Sequence, residues 1–217
     1  MRVTKLVSQK RTPSRVNMYI DGDFHCGISL DTVAKYSLYE GCEIEEEKLK
    51  NIAYNEIRSR FLTRTVEYIA RSLRTEYQVK RYIRELSLKK KGKWFNDISK
   101  EEISKITGYV IQKLNKYGYI DDEKYAIAFI QSRIKNRPRG KSVLIGELLS
   151  KGVARELAEE KVNELVEDEI SLLKKTYAKK FKESKITKED RKKIEFLLRK
   201  GFSWDLIEQY IEDESRE

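Results

Sequence analysis

Few residues in this 217-residue sequence could support nucleophilic or metal chemistry. The only thiols are Cys26 and Cys42, and the only histidine is His25. These three side chains cannot complete a four-ligand zinc site without carboxylates, and the cysteines do not form a CxxC pair. In a strand, His25 and Cys26 would point to opposite faces, which disfavours a catalytic dyad. We therefore expect no catalytic residue, no metal site and no cofactor.

Basic side chains are the more informative group. The net charge is +10, from 46 Lys and Arg against 36 Asp and Glu, and it is segregated along the chain. The segment 71–93 holds nine basic and two acidic residues, whereas 156–169 holds seven acidic residues and one lysine. A basic excess of this kind indicates an acidic partner, which could be a nucleic acid, a nucleoprotein or an acidic protein face.

Two segments could present the basic residues to such a partner. On a helix predicted from Thr75 to Leu88, Lys80, Arg81 and Arg84 lie opposite an apolar face. The segment 133–141 alternates basic residues through a Pro-Gly connector, and arginine suits bidentate binding of phosphate or carboxylate. Both segments could instead be ordinary solvated surface. The candidate basic face comprises Arg74, Lys80, Arg81, Arg84, Arg133, Lys135, Arg137, Arg139, Lys141, Lys192 and Lys193.

An internal repeat indicates which elements position these residues. The stretch 145–162 returns as 194–211, with 7 of 18 aligned positions identical, and a diverged copy centres on Lys91 and Gly92. Repeated helical units usually form an extended binding surface instead of a catalytic pocket. We expect a mainly α protein, an elongated and curved array of three tandem three-helix repeats with a small β-hairpin-containing N-terminal module. The expected parts are 1–44 for the β-rich module, 45–62 for a connecting helix, and 63–119, 120–166 and 167–217 for the repeats.

Local patterns predict the boundaries of individual elements. Asp21-Gly22 between two alternating runs predicts a hairpin, and residues 3–8 could add a third strand. Asp31 is expected to cap a short helix that stops at Gly41. Capping-box pairs are expected at Thr75/Gln78, Ser99/Glu102 and, more weakly, Thr187/Asp190. Glycines 92, 152 and 201 are expected to close helices, and the apolar run 125–130 predicts a helix buried nearly all round.

The order of several short motifs resembles that of the RecX family, regulators of the RecA recombinase. The motifs are Arg74-Thr75-Glu76 with Val79, Gly118-Tyr119-Ile120-Asp121-Asp122 with Tyr125-Ala126, Leu148 with Lys151-Gly152-Val153, and Leu197-Leu198 with Lys200-Gly201-Phe202-Ser203. No single motif is specific, but their order over three tandem units is. The chain departs from the family pattern at Gln78, where glutamate is more usual, and in an insertion at 94–97.

The resemblance implies a non-enzymatic protein that binds the groove of the RecA–DNA filament. Such a protein inhibits strand exchange and ATP hydrolysis in recombination and DNA repair, and would bind free DNA weakly and without sequence specificity. The sequence has no membrane-length apolar run and no apolar signal core, so we expect a cytoplasmic protein. We also expect a monomer. The alternative is a helix-turn-helix or Myb-like DNA-binding protein, which the acidic third helices of repeats two and three disfavour because they would repel phosphate.

Overall fold

The computed structural model describes residues 1–10, 12–91, 94, 99–182 and 184–216. Its contacts divide the chain into two compact units. The first unit contains Met1–Ser72 and Val79–Tyr119, and the second contains Leu73–Gln78 and Ile120–Glu217. A hydrophobic cluster of buried residues lies in each unit.

A three-stranded antiparallel sheet opens the first unit. Strands β1 (Val3–Gln9), β2 (Thr12–Ile20) and β3 (Asp23–Ser29) pair in the order β1-β2-β3. The Asp21-Gly22 turn has φ of 49° and 99° at its two central residues, which are the positive values that a type I′ hairpin turn requires. The hairpin and the third strand are therefore confirmed.

Four helices follow in the order α1 (Leu30–Lys35), α2 (Glu46–Ile69), α3 (Glu76–Lys90) and α4 (Lys100–Lys116). The prediction for α1 was wrong at both ends. Its N-cap is Ser29, whose hydroxyl accepts from the Thr32 N–H, and it ends at Lys35 instead of Gly41. The boundary expected between residues 62 and 63 lies inside α2, which is one continuous helix.

Six helices form two consecutive three-helix groups in the second unit. The first group is α5 (Asp122–Asn136), α6 (Lys141–Ser150) and α7 (Arg155–Leu165), and the second is α8 (Glu169–Phe181), α9 (Arg191–Arg199) and α10 (Trp204–Arg216). The tandem three-helix organisation is thus confirmed here. The expected all-round burial of α5 was wrong, because only Ala126 and Ile130 in its apolar run are buried and Ala128 is exposed.

Caps and glycines mark several helix ends as the sequence indicates. Thr75 and Gln78 exchange hydrogen bonds of 3.2 Å, and Ser99 and Glu102 form a complete capping box. Asp190, not Thr187, is the N-cap of α9, although its carboxylate does accept from the Thr187 N–H. Gly152 and Gly201 have φ of 85° and 92° just beyond α6 and α9, as predicted. Gly92, Lys93 and residues 95–97 of the expected insertion lie outside the described residues.

No helix among the described residues is long and apolar enough to cross a membrane.

Candidate partner-binding surface

Helix α3 presents the first group of candidate residues. Val79, Ile83 and Leu86 are buried on one side of the helix, as the 3.6-residue period predicts. Lys80, Arg81 and Arg84 are exposed on the other side. The structure thus brings these three cations onto one solvent face of the first unit, which we call the α3 basic face.

Aromatic contacts hold α3 against α2. The rings of Tyr68 and Tyr82 stack with centroids 4.1 Å apart, and the Tyr82 hydroxyl donates to the Arg64 carbonyl at 3.2 Å. Burial raises the pKa of Tyr82, which keeps its hydroxyl protonated as a donor. Because Tyr82 lies between the buried side and the α3 basic face, this packing fixes the direction in which the basic face points.

The charge of the α3 basic face is only weakly neutralised by its own helix. Arg81 lies 3.6 Å from Glu85, and both side chains are largely exposed. Exposed pairs of this kind contribute little and exchange readily with solvent or a partner. No ion pair of Arg84 occurs among the described residues. Arg81 and Arg84 can therefore meet an acidic partner at small cost.

The remaining candidates lie in the second unit. They differ in how many contacts their side chains make with other residues of the chain. The Arg133 guanidinium donates to Glu147 at 2.7 Å and lies 4.5 Å from the centroid of the Phe129 ring. The Lys193 ammonium donates to the Ser184 hydroxyl at 2.9 Å and the Lys185 carbonyl at 2.5 Å. These two side chains stabilise the fold, which leaves less of their charge for a partner.

Three of the other second-unit candidates are more accessible. Lys135, Arg137 and Lys192 are exposed, whereas Arg74, Arg139 and Lys141 are half-buried or nearly buried. The Lys141 N–H donates to the Glu169 carboxylate at 2.8 Å, which joins the start of α6 to the start of α8. Lys192 lies in the first turn of α9. Its exposed charge is therefore on a different element from the connector at 137–139.

A basic pocket brings the connector arginines together with lysines that are not among the residues of the candidate basic face. Arg137 and Arg139 line a cavity of about 370 Å³ with Lys179 and Lys180 from α8 and Lys200 from the end of α9. The Phe196 ring forms part of its wall. The basic run 174–182 is the sequence signal that could have suggested Lys179 and Lys180, but nothing local indicates which other residues they meet.

The acidic third helices neutralise nearby cations within the second unit. The Lys161 ammonium on α7 lies 2.8 Å from Glu123 on α5 and 3.0 Å from both Glu160 and Glu164. Hydrogen bonds to Glu123, Glu164 and Glu160 raise the pKa of Lys161. On α10, Glu208 accepts from Lys188 at 2.6 Å. Acidic residues on these helices are therefore partly used inside the fold.

Three family models match the chain. They are described as the regulatory protein RecX N-terminal domain, the RecX second three-helix domain and the RecX third three-helix domain, and they match residues 1–45, 121–161 and 167–211. The chain belongs to the RecX family. The second and third domain models fall on α5–α7 and α8–α10, the two groups that the structure shows in the second unit.

Curated RecX proteins are similar over almost the whole chain. "Regulatory protein RecX" from Bacillus cytotoxicus is 29% identical over 220 residues, which cover 97% of this chain and 76% of that protein. The protein of the same name from Clostridium tetani is 29% identical over 216 residues, covering 97% of this chain and 93% of its own length. Similarity of this extent agrees with the family-model matches from the N-terminal sheet to α10.

Two solved structures share the fold. A crystal structure of regulatory protein RecX superposes with a TM-score of 0.66 at 23% identity, covering 98% of both chains. The structure of RecX from Lactobacillus salivarius gives a TM-score of 0.55 at 24% identity over 74% of this chain and 97% of its own. The RecX fold, with a small sheet followed by helical repeats, is therefore the fold of this chain.

Proposed function

We propose that this chain inhibits the RecA recombinase by binding in the groove of the RecA–DNA filament. It would lower ATP hydrolysis and strand exchange by occupying the filament, and so regulate recombination and DNA repair without performing chemistry itself. Membership of a family of regulatory proteins supports the regulatory role. The α3 basic face, three exposed cations backed by a buried apolar side, is the observation that supports filament binding.

The charges of the α3 basic face suit the partner that the proposal names. A RecA–DNA filament offers phosphates and acidic protein side chains, and exposed Arg and Lys contribute chiefly to the rate and orientation of such encounters. Lys80, Arg81 and Arg84 need no rearrangement of the helix to reach a partner, because they already lie in solvent. Phosphate contacts of this type carry no base information, so any binding to free DNA would be weak and independent of sequence.

The proposal is tested by RecA ATPase activity on single-stranded DNA with increasing amounts of this protein. The parent protein should lower the steady-state rate and sediment with RecA filaments. The double variant Arg81→Glu, Arg84→Glu should lose inhibition by about tenfold or more, because two attractive charges become repulsive. Its melting temperature should stay close to that of the parent, since both side chains are exposed.

A matched control separates a specific surface from overall charge. Lys105→Glu with Lys116→Glu changes the net charge by the same amount on α4, where both lysines are exposed. This variant should inhibit nearly as well as the parent. Equal loss of inhibition in both double variants would mean that only net charge matters, and a parent protein without effect on RecA would overturn the proposed function.

A further inference from the structure

The basic pocket of the second unit is lined by five cations. They are Arg137, Arg139, Lys179, Lys180 and Lys200, and no carboxylate is among the described residues that line the cavity. Elsewhere in the unit, cations such as Lys161 and Lys188 have acidic partners at 2.6–3.0 Å. The pocket is therefore a place where the fold collects positive charge without neutralising it.

Backbone contacts, not flexible side chains alone, build this arrangement. The Gly140 N–H donates to the Lys200 carbonyl at 2.8 Å, and the Ser142 hydroxyl donates to the Gly201 carbonyl at 2.7 Å. A Cβ at Gly140 would overlap the Gly201 backbone, so only glycine permits this approach. The connector that carries Arg137 and Arg139 is thereby fixed against the end of α9, which carries Lys200.

Lysines of α8 form another side of the pocket, and contacts within the chain hold them in place as well. The Lys179 ammonium, near the end of α8, donates to the Asn136 carbonyl at 2.9 Å. The Lys180 and Lys200 ammonium groups lie 4.3 and 5.0 Å from the centroid of the Phe196 ring, which is only 9% exposed. Attraction to the face of the ring holds both cations near the cavity.

The pocket carries an electrostatic cost within the chain itself. The Arg139 Nε is buried and has no hydrogen-bond partner among the described residues. Burial lowers the pKa of Lys200, and the nearby charges of Arg139, Lys180 and Arg199 lower it further. A buried donor without a partner is unfavourable, and like charges held together are unfavourable as well. An anion in the cavity would relieve the repulsion between the like charges.

We propose that the basic pocket binds a phosphate group. Two guanidinium groups supply paired donors and three ammonium groups supply point charges, which is the combination that phosphate oxygens accept best. A single carboxylate would leave most of the positive charge unneutralised, and a cavity of about 370 Å³ has room for a phosphate with part of the molecule that carries it. That molecule is either a nucleic-acid strand or a free phosphate compound. This inference does not depend on RecA.

The test measures binding to the full chain in the absence of RecA. One arm compares melting temperatures in pyrophosphate and in chloride of equal ionic strength. The other follows the anisotropy of a labelled oligothymidylate. The double variant Arg139→Gln, Lys200→Met should lose most of the pyrophosphate stabilisation and, if the phosphate belongs to a nucleic acid, bind the oligonucleotide about tenfold more weakly. The slope of its salt dependence should then also fall by about 0.7 for each phosphate that the variant no longer binds.

Matched variants make the outcome decisive. Arg191→Gln with Lys175→Met removes the same two residue types from exposed positions on α9 and α8 outside the pocket, and should behave as the parent. If the Arg139 and Lys200 double variant does not fold, as judged by circular dichroism, the exposed Lys180→Met replaces it.

If the Arg139 and Lys200 double variant loses only the pyrophosphate stabilisation, the ligand is a free phosphate compound. If it also loses affinity for the oligonucleotide, the ligand is a nucleic-acid strand. Either result supports the pocket. Unchanged binding in both arms, or equal stabilisation by a polyglutamate peptide, would overturn the proposal. Neither arm contains RecA, so a failure of the pocket proposal is distinguishable from a failure of the proposed function.

Discussion

At the scale of single residues, the carboxylate of Glu56 is a charged group buried in the first unit. It is 4% exposed and accepts from the Arg15 guanidinium at 2.7 Å and from the Ser29 N–H and hydroxyl at 3.0 and 2.9 Å, as well as from the Thr32 hydroxyl. Burial alone would raise the pKa of Glu56, but these hydrogen bonds outweigh burial and hold it below its ordinary value of 4.5. The ionised form is thus the one that the fold stabilises.

Glu56→Gln should destabilise the protein by about 3 kcal/mol at pH 7, because Arg15 loses its buried partner. The ionised carboxylate stabilises the fold above the unfolded-state pKa, and this stabilisation is lost as pH falls through the lower folded-state pKa. The difference in unfolding free energy between parent and variant should therefore shrink between about pH 5 and pH 3. Urea titrations at several pH values measure it, with the exposed Glu47→Gln as control. A difference that does not change with pH would contradict this assignment.

Cys26 illustrates how burial suppresses reactivity. Desolvation, with a smaller effect of the nearby Glu56 charge, raises the pKa of its thiol from 9.0 to about 12. Since the thiolate is the reactive form, alkylation of Cys26 by iodoacetamide at about pH 8 should be far slower in the native protein than in urea. Peptide mapping after timed quenching measures both rates. Native alkylation as fast as in urea would show that the thiol is accessible and ionised.

Neither of these roles could be predicted from the sequence. Glu56 lies in a long helix of mixed charge, where a carboxylate is ordinarily solvent-facing. Its partners Arg15 and Ser29 are 41 and 27 residues away. Lys179 and Lys180 were missed in the same way, because only the folded second unit brings them to the connector at 136–139. Single-residue environments depend on distant contacts that no local pattern records.

At the scale of elements, the glycines after α6 and α9 allow a test of whether the backbone at these helix ends requires glycine. Gly152 has φ of 85°, and a Cβ there would overlap the Tyr77 ring, so Gly152→Ala should cost about 2 kcal/mol or more. Gly146 lies within α6 with open space around it, and Gly146→Ala should be neutral or stabilising by about 0.5–1 kcal/mol. Chemical denaturation of both variants measures the contrast. Equal effects would contradict the backbone explanation.

Turns and caps that depend on neighbouring residues could be predicted from the sequence. Caps and burial that depend on contacts with distant residues could not. The Asp21-Gly22 turn and the Ser99 cap depend on chemistry within a few residues, so the sequence indicated them correctly. The cap of α1 was assigned to Asp31 because Asp is a good capping residue, but Ser29 takes that position while also binding Glu56 on α2. In α5, the apolar run was expected to be buried, yet Ala128 remains in solvent.

At the scale of the whole molecule, the sequence indicated the family and the repeat but not how each charge is used. Segregated charge along the chain was evident, and the α3 basic face followed from helical periodicity. Periodicity could not show that Arg133 and Lys193 form intramolecular hydrogen bonds, or that Lys161 is surrounded by three carboxylates. Net charge therefore overstates the positive surface that a partner can meet.

This distribution of charge makes a prediction about free DNA. Contacts from exposed Lys and Arg reach phosphates, so binding should be weak and should fall at least about tenfold between about 50 and 200 mM salt. Two duplexes of equal length and unrelated sequence should bind within about threefold of each other, because phosphate contacts carry no base information. Fluorescence anisotropy at both salt concentrations measures this.

A helix-turn-helix reader of DNA gives the opposite result, since specific sites typically bind at least about a thousandfold more tightly than non-specific DNA. The acidic helices α7 and α10 occupy the positions at which such a protein places its recognition helix, and their carboxylates would repel the phosphates that flank a major groove. A selected high-affinity sequence whose binding persists at about 200 mM salt would therefore contradict the electrostatic account and favour sequence-specific DNA binding instead.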